Sequence, residues 1–199
     1  MDVTFWNNRY DVPDHVFGET PNEFLAEVAT RIPAGPVLCL AEGEGRNAVH
    51  LARLGHRVTA VDQSEVGLAK ARRLAATHGV EIETVVADLA DYSIATGAWA
   101  GIVSIFAHLP PDLRRRIHRA VVAGLQPGGV FILESYTPAQ LAFGTGGPKD
   151  PERLMTLAGL REELTGLEFV IAGEREREVV EGPAHTGRAA VVQVLARRA

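Results

Sequence analysis

The stretch Val37-Leu38-Cys39-Leu40-Ala41-Glu42-Gly43-Glu44-Gly45-Arg46-Asn47-Ala48 decides how the rest of the chain is read. Its apolar run, Val37–Ala41, follows the turn signal Pro33-Ala34-Gly35-Pro36 and predicts a short buried strand. Gly43-Glu44-Gly45 then turns the chain into a helix over Arg46–Leu54, which Gly55 stops. Glycine suits such a turn because, without a Cβ, it permits a tight bend and close approach of a ligand to the backbone. Strand, glycine turn and helix N-terminus together make a nucleotide-binding turn.

Downstream, the same alternation continues. Arg57–Val61 reads as a second strand, and Asp62 ends it, 19 residues after Gly43. An acid at that place accepts both hydroxyls of a ribose. Ser64 is the expected N-cap of a helix over 65–77, with Leu68, Ala71 and Ala75 on one face and Gly79 at its end. Glu81–Ala87 is the third strand, followed by Asp88-Leu89. Trp99–Ile105 is the fourth. A helix follows Pro110-Pro111-Asp112, with Leu113, Ile117, Val121 and Leu125 spaced by four, and Val130–Glu134 is the fifth strand. A βαβαβ…βαβ order predicts an α/β fold with a largely parallel sheet.

The two ends differ from this middle. Leu160–Leu164 closes a helix, and Glu168–Val180 and Arg188–Arg197 read as two more strands. The connection Glu181-Gly182-Pro183-Ala184-His185-Thr186-Gly187 is too short for a helical crossover, so these two strands must be antiparallel. At the other end, Thr20-Pro21-Asn22-Glu23 predicts a helix start with Thr20 as N-cap, running to about Arg31. Phe5–Gly18 reads as aromatic and irregular.

Composition bounds the function. The chain has 199 residues, 46% hydrophobic and 23% charged, which suits one globular domain. Its expected parts are an N-terminal arm and capping helix (1–32), a cofactor-binding half that holds the nucleotide-binding turn (33–135), and a substrate-side segment with the terminal hairpin (136–199). A net charge of −5 gives no basic footprint for nucleic acid. Eighteen of the 20 basic residues are Arg. Cys39 is the single cysteine, which excludes an intramolecular disulfide and fits a reducing compartment. No apolar run reaches the roughly 20 residues needed to cross a bilayer, and the start has no signal-peptide pattern, so a cytoplasmic location is expected. No His, Cys and acid cluster has metal-ligand spacing, and no metal is expected.

By spacing alone, Gly-x-Gly-x-x-Ala also fits a nicotinamide dinucleotide site, and a nicotinamide-dependent oxidoreductase is the rival reading. Three features oppose it. Glu42 and Glu44 suit a cationic amine or sulfonium better than a pyrophosphate. Asp88 brings another carboxylate to the same sheet edge, where it can accept an adenine amino group while the Leu89 N–H donates to the ring. Finally, 199 residues leave no room for a second substrate domain.

The stretch 37–47, with Asp62 and Asp88 after it, resembles the first motifs of class I S-adenosylmethionine-dependent methyltransferases. Leu125-Gln126-Pro127-Gly128-Gly129-Val130 resembles the turn that precedes that family's fifth strand. The resemblance implies a Rossmann-like three-layer sandwich, whose seven-stranded, mostly parallel sheet has the order 3-2-1-4-5-7-6 with strand 7 antiparallel. It implies S-adenosylmethionine as cofactor and S-adenosylhomocysteine as product, held by Glu42, Gly43, Gly45, Asn47, Asp62, Gln63, Asp88, Leu89 and Phe106. Within the family the chain is most similar to the small tellurite-resistance-type and thiopurine-type methyltransferases, through Trp6…Arg9-Tyr10, the Gly-Glu-Gly-Arg-Asn run, Phe106-Ala107-His108-Leu109-Pro110 and the Glu181–His185 turn. Three residues depart from the usual pattern: Cys39 stands for Asp, Ala41 for Gly and Glu42 for Cys.

The implied reaction is in-line displacement onto a small soluble acceptor, a thiol or a chalcogen oxyanion such as tellurite, with orientation as the main catalytic effect. His108 and His185 are the candidate bases. Trp6, Arg9, Tyr10, Phe17, Tyr136 and Arg188 are the expected substrate or lid residues. The runs 114–116 and 174–178 are expected to be solvated faces, and His50, His56, His78 and His118 are given no role. A monomer and a homodimer are equally compatible. A non-catalytic module that binds S-adenosylmethionine is the remaining alternative, and a site open on the Trp6–Phe17 side would favour it.

Overall fold

The apolar run after the Pro-Gly turn forms the central strand of the sheet in the computed structural model, which describes residues 3–183 and 185–199. Strand β1 (Pro36–Leu40) pairs in parallel with β2 (Arg57–Asp62) on one side and β4 (Trp99–Ile105) on the other. The outer strands are β3 (Glu83–Val86), β5 (Leu125–Tyr136), β6 (Leu167–Val180) and β7 (Thr186–Arg198). The sheet has seven strands in the order β3-β2-β1-β4-β5-β7-β6. Only β7 runs against its neighbours, pairing antiparallel with both β5 and β6. The sheet expected from the family resemblance is therefore present, and the terminal hairpin separates it from a plain dinucleotide fold.

Successive residues of β1 face opposite sides, as a strand requires. Leu38 and Leu40 join Ile102, Phe131, Leu133, Ile117 and Leu160 on one face. Val37 and Cys39 join Leu25, Leu51, Leu68, Val103 and Ile132 on the other. The first face is covered by α5 (Pro111–Gly124) and α6 (Leu157–Glu163). The second is covered by α2 (Glu23–Val28), α3 (Arg46–Arg53) and α4 (Glu65–Thr77). Ser64 caps α4 as expected, accepting the Gly67 N–H at 3.0 Å.

Four local expectations are corrected. Val3–Tyr10 is a helix, α1, where an irregular aromatic segment was expected. Stacking of Trp6 on Tyr10 and a 2.7 Å Ser64–Asn7 hydrogen bond hold it. Asn22, not Thr20, caps α2: its side chain accepts the Leu25 N–H at 3.0 Å while its own N–H donates to Asn47. Leu125 begins β5 instead of closing α5, because it pairs with Trp99 across the sheet. Two members of the charge runs are not solvated. Arg114 lies against Glu163 at 3.0 Å, and Arg177 lies at 2.5 Å from Glu134. Met1, Asp2 and, within the hairpin connection, Ala184 lie outside the described residues.

Candidate active site

Two neighbouring strands, β1 and β4, end in the same unusual way. Ala41 has φ +50° and Phe106 has φ +54°, left-handed values that glycine adopts freely and that cost other residues on the order of 1–2 kcal/mol. Such strain clusters where a site over-determines it. Both residues line a cavity of about 540 Å³ at the carboxyl edge of the parallel strands, which is where open α/β sheets bind ligands. Ala41 stands where the family that the sequence resembles has glycine, the residue that adopts such a φ freely.

The strand-end acids come to this cavity. Asp62 is buried on it; Oδ2 accepts the Gly43 N–H and Oδ1 the Ser64 N–H, each at 2.8 Å. Burial raises its pKa, and the backbone N–H groups hold that rise in check. The Gln63 N–H also acts on this carboxylate, and these bonds still use only part of its roughly four lone-pair sites. Gln63, Asp88 and Leu89 line the same cavity. Asp88 is exposed there and accepts the Ala90 N–H at 2.7 Å.

The two acids of the glycine turn differ from each other. Glu42 lines the cavity and caps α3: Oε1 accepts the N–H groups of Asn47 at 3.0 Å and Ala48 at 2.7 Å. Burial nevertheless pushes its pKa up to about 7. Glu44 also lines the cavity, yet its carboxylate is paired with Lys70 at 2.6 Å and is not a free counter-ion for a bound cation. The turn's glycines serve packing. A Cβ on Gly43 (φ +62°) would lie 2.6 Å from the Tyr10 hydroxyl, and one on Gly45 (φ +92°) would lie 2.5 Å from Ala71 Cβ. Neither glycine is among the cavity-lining residues, whereas Asn47 is.

At the far end of the cavity lies an aromatic cluster with polar edges. The His108 ring stacks on Tyr136, with centroids 5.4 Å apart, and the Phe106 ring meets His185 edge-on at 4.3 Å. Burial drives the His108 pKa down to about 3 and raises that of Tyr136. Nη2 of Arg46, at 2.6 Å, and Nδ1 of His185, at 3.4 Å, share one oxygen, Oε2 of Glu181. The other oxygen of Glu181 accepts Asn22 Nδ2 at 2.9 Å and Arg177 Nη2 at 2.8 Å. Burial would raise the Glu181 pKa, but His185, Arg46 and Arg177 outweigh it and hold the carboxyl far below the usual range. Arg46 Nη1, His108 Nε2 and His185 Nε2 are among the buried side-chain nitrogens that have no hydrogen-bond partner within the described residues. All three residues line the cavity.

Trp6, Arg9, Tyr10 and Phe17 form the arm-side wall of the cavity, so the site is covered on that side. Arg188 is corrected: it is exposed, pairs with Glu176 at 2.5 Å and is not a lining residue. Sequence reasoning missed Arg46, Arg153 and Lys70 as components of the site and its wall. Arg46 sits inside the glycine motif, but its partner Glu181 lies 135 residues away. Among the described residues no group of His, Cys, Asp and Glu is placed to hold a metal ion, and no helix is long and apolar enough to cross a membrane.

Sheet order and the carboxyl-edge cavity, with the acid at the end of β2, give the chain the class I methyltransferase fold. Residues 37–129, a little under half of the chain, match the model of the methyltransferase domain family. Solved structures agree on the fold. TehB from Haemophilus influenzae aligns with TM-score 0.73 at 20% identity, over 99% of this chain and 67% of that one. A structure from work on conversion of a disulfide bond into a thioacetal group during echinomycin biosynthesis aligns with TM-score 0.77 at 19% identity, over 99% and 89%. Magnesium protoporphyrin IX methyltransferase (ChlM) from Synechocystis PCC 6803 with bound SAH aligns with TM-score 0.66 at 18% identity, over 88% and 80%. No curated protein matches the sequence.

Proposed function

We propose that this methyltransferase binds S-adenosylmethionine in the cavity and methylates a small soluble acceptor at its His108–His185 end. One observation carries the reading: the strand-end carboxylates Asp62 and Asp88 line the same cavity as these buried nitrogens without partners among the described residues. The residues present fit the cofactor. Asp62 has lone pairs left for a ribose, and Asp88 with the Leu89 N–H suits an adenine edge. Glu42 and Asn47 line the part next to the glycine turn, with Gln63 beside Asp62. When bound, the cofactor supplies a methyl group already activated on a sulfonium.

The chain's own residues then orient and exclude. Trp6, Tyr10, Phe17, Phe106 and Tyr136 line the cavity with aromatic surface, which keeps water from the reacting atoms. Holding an acceptor in line accounts for much of the rate in such transfers. Arg46 Nη1 can donate to an oxygen or sulfur of the acceptor. His185 is the better candidate to take a proton. Its Nδ1 faces the Glu181 carboxylate, whereas His108, with a pKa near 3, is a weak base. Likeness to TehB and the tellurite-resistance type supports a thiol or a chalcogen oxyanion as the acceptor. Cover on the Trp6–Phe17 side argues for an enzyme over an open binding module.

Incubation with methyl-labelled S-adenosylmethionine and a panel of thiols, selenite and tellurite tests this. Label should appear on at least one acceptor and fall more than tenfold with His185→Asn. Retention of label by the cofactor across the panel, in protein that binds S-adenosylhomocysteine, would favour the non-catalytic module.

A further inference from the structure

We propose that Lys70 builds the arm-side wall of the cofactor site, fastening the N-terminal arm to the glycine turn so that the cofactor meets a finished pocket. This rests on the methyltransferase reading of the cavity. Lys70 is one of two lysines in a chain with 18 arginines, and it is only 3% exposed. Its ammonium donates to three arm carbonyls: Tyr10 at 3.2 Å, Val12 at 2.9 Å and Asp14 at 2.7 Å. Glu44 Oε1, at 2.6 Å inside the glycine turn, is a fourth acceptor, so two of the four share one of the ammonium's three protons. Glu44 Oε2 in turn accepts the Phe17 N–H at 3.3 Å. One ion pair thus grips the arm at residues 10, 12, 14 and 17.

A stripe along α4 specifies this docking. Ser64 Oγ bonds Asn7, Gly67 leaves room for the Tyr10 ring, and Lys70 takes the carbonyls. These positions are three apart and share one helix face. A Cβ on Gly67 would lie 3.0 Å from the Tyr10 ring. Burying an ammonium costs several kcal/mol unless it is fully ligated, so packing alone would be served better by an apolar residue. What the latch positions is functional surface, since Trp6, Arg9, Tyr10 and Phe17 all line the cavity. A wall ordered in advance raises affinity by removing the cost of ordering it on binding. By linkage, docked arm and bound cofactor must favour each other by the same factor.

The test uses S-adenosylhomocysteine as probe in a Trp99→Phe background, where Trp6 is the sole tryptophan. Lys70→Met should weaken binding at least tenfold. It should also expose Trp6 to acrylamide quenching, with protection returning at saturating ligand. Glu163→Gln, which disrupts a half-buried ion pair between α5 and α6 outside the cavity lining, controls for general destabilisation and should leave affinity within twofold. The proposal is overturned if Lys70→Met binds within twofold of the parent with unchanged quenching, or if Glu163→Gln weakens binding equally at equal loss of Tm. Should Lys70→Met fail to fold, Lys70→Gln keeps amide protons for the carbonyls and should give the same changes at smaller size. No binding by the parent would defeat the methyltransferase reading instead, and the ligand-free quenching comparison would still decide the latch.

Discussion

Glu42 carries a cost that shows in pH dependence. Its pKa rises from 4.5 to about 7 because burial penalises the charged form. A carboxyl whose folded pKa is raised contributes stability that is present below 4.5 and lost as pH climbs through 7. Glu42→Gln cannot ionise, so its stability should gain on the parent between pH 5 and 8 by about 2–3 kcal/mol in all, seen as a Tm that rises relative to the parent's. Parallel Tm curves would show that Glu42 does not titrate there. Asp62 is legible from sequence because strand end and glycine spacing fix it together. The second role of Glu42, capping α3 through two N–H groups, needs the folded turn to be seen.

At the scale of elements, the glycine turn is tested by Gly45→Ala. The added Cβ would meet Ala71 of α4 at 2.5 Å with φ at +92°, so overpacking and left-handed strain act together. A loss of roughly 2–4 kcal/mol is expected, read by urea unfolding. A loss under about 0.5 kcal/mol would mean that α3 and α4 are not held this close. Most strands and helices were legible because apolar runs and caps are local signals. Helix α1 was not. Val3, Thr4, Phe5, Trp6 and Tyr10 are β-branched or aromatic, and Tyr10 and Asn7 are held by contacts with α4, more than fifty residues away. Asn22 displaced Thr20 as the cap for a similar reason, since Asn47 and Glu181 fix it from afar. Lys70 did leave a trace, as a lysine where the chain otherwise uses arginine.

Across the whole molecule, Glu181 ties together parts that the sequence keeps apart. It joins Arg46 of the glycine motif, Asn22 at the head of α2, Arg177 of β6 and His185 of the hairpin. Removing one partner of a buried ion pair leaves the other uncompensated, so Glu181→Ala should cost about 3–5 kcal/mol in chemical unfolding at pH 7. Because the Glu181 pKa is held below 4.5, its stabilisation is present above pH 4.5 and lost as pH falls. The penalty of the substitution should therefore shrink in acid. A penalty below 1 kcal/mol, or one independent of pH, would contradict the network. No motif announces these pairs, because charge complementarity across 135 residues has no local signature.

The central claim, that this cavity is an S-adenosylmethionine site, is tested most directly by calorimetric titration with S-adenosylhomocysteine, with NAD and NADP in parallel and Asp62→Ala as the partner variant. Micromolar binding of S-adenosylhomocysteine alone is expected, weakened by about 1–3 kcal/mol in Asp62→Ala through lost hydrogen bonds. Binding of a nicotinamide cofactor alone, or an unchanged dissociation constant in folded Asp62→Ala, would contradict it.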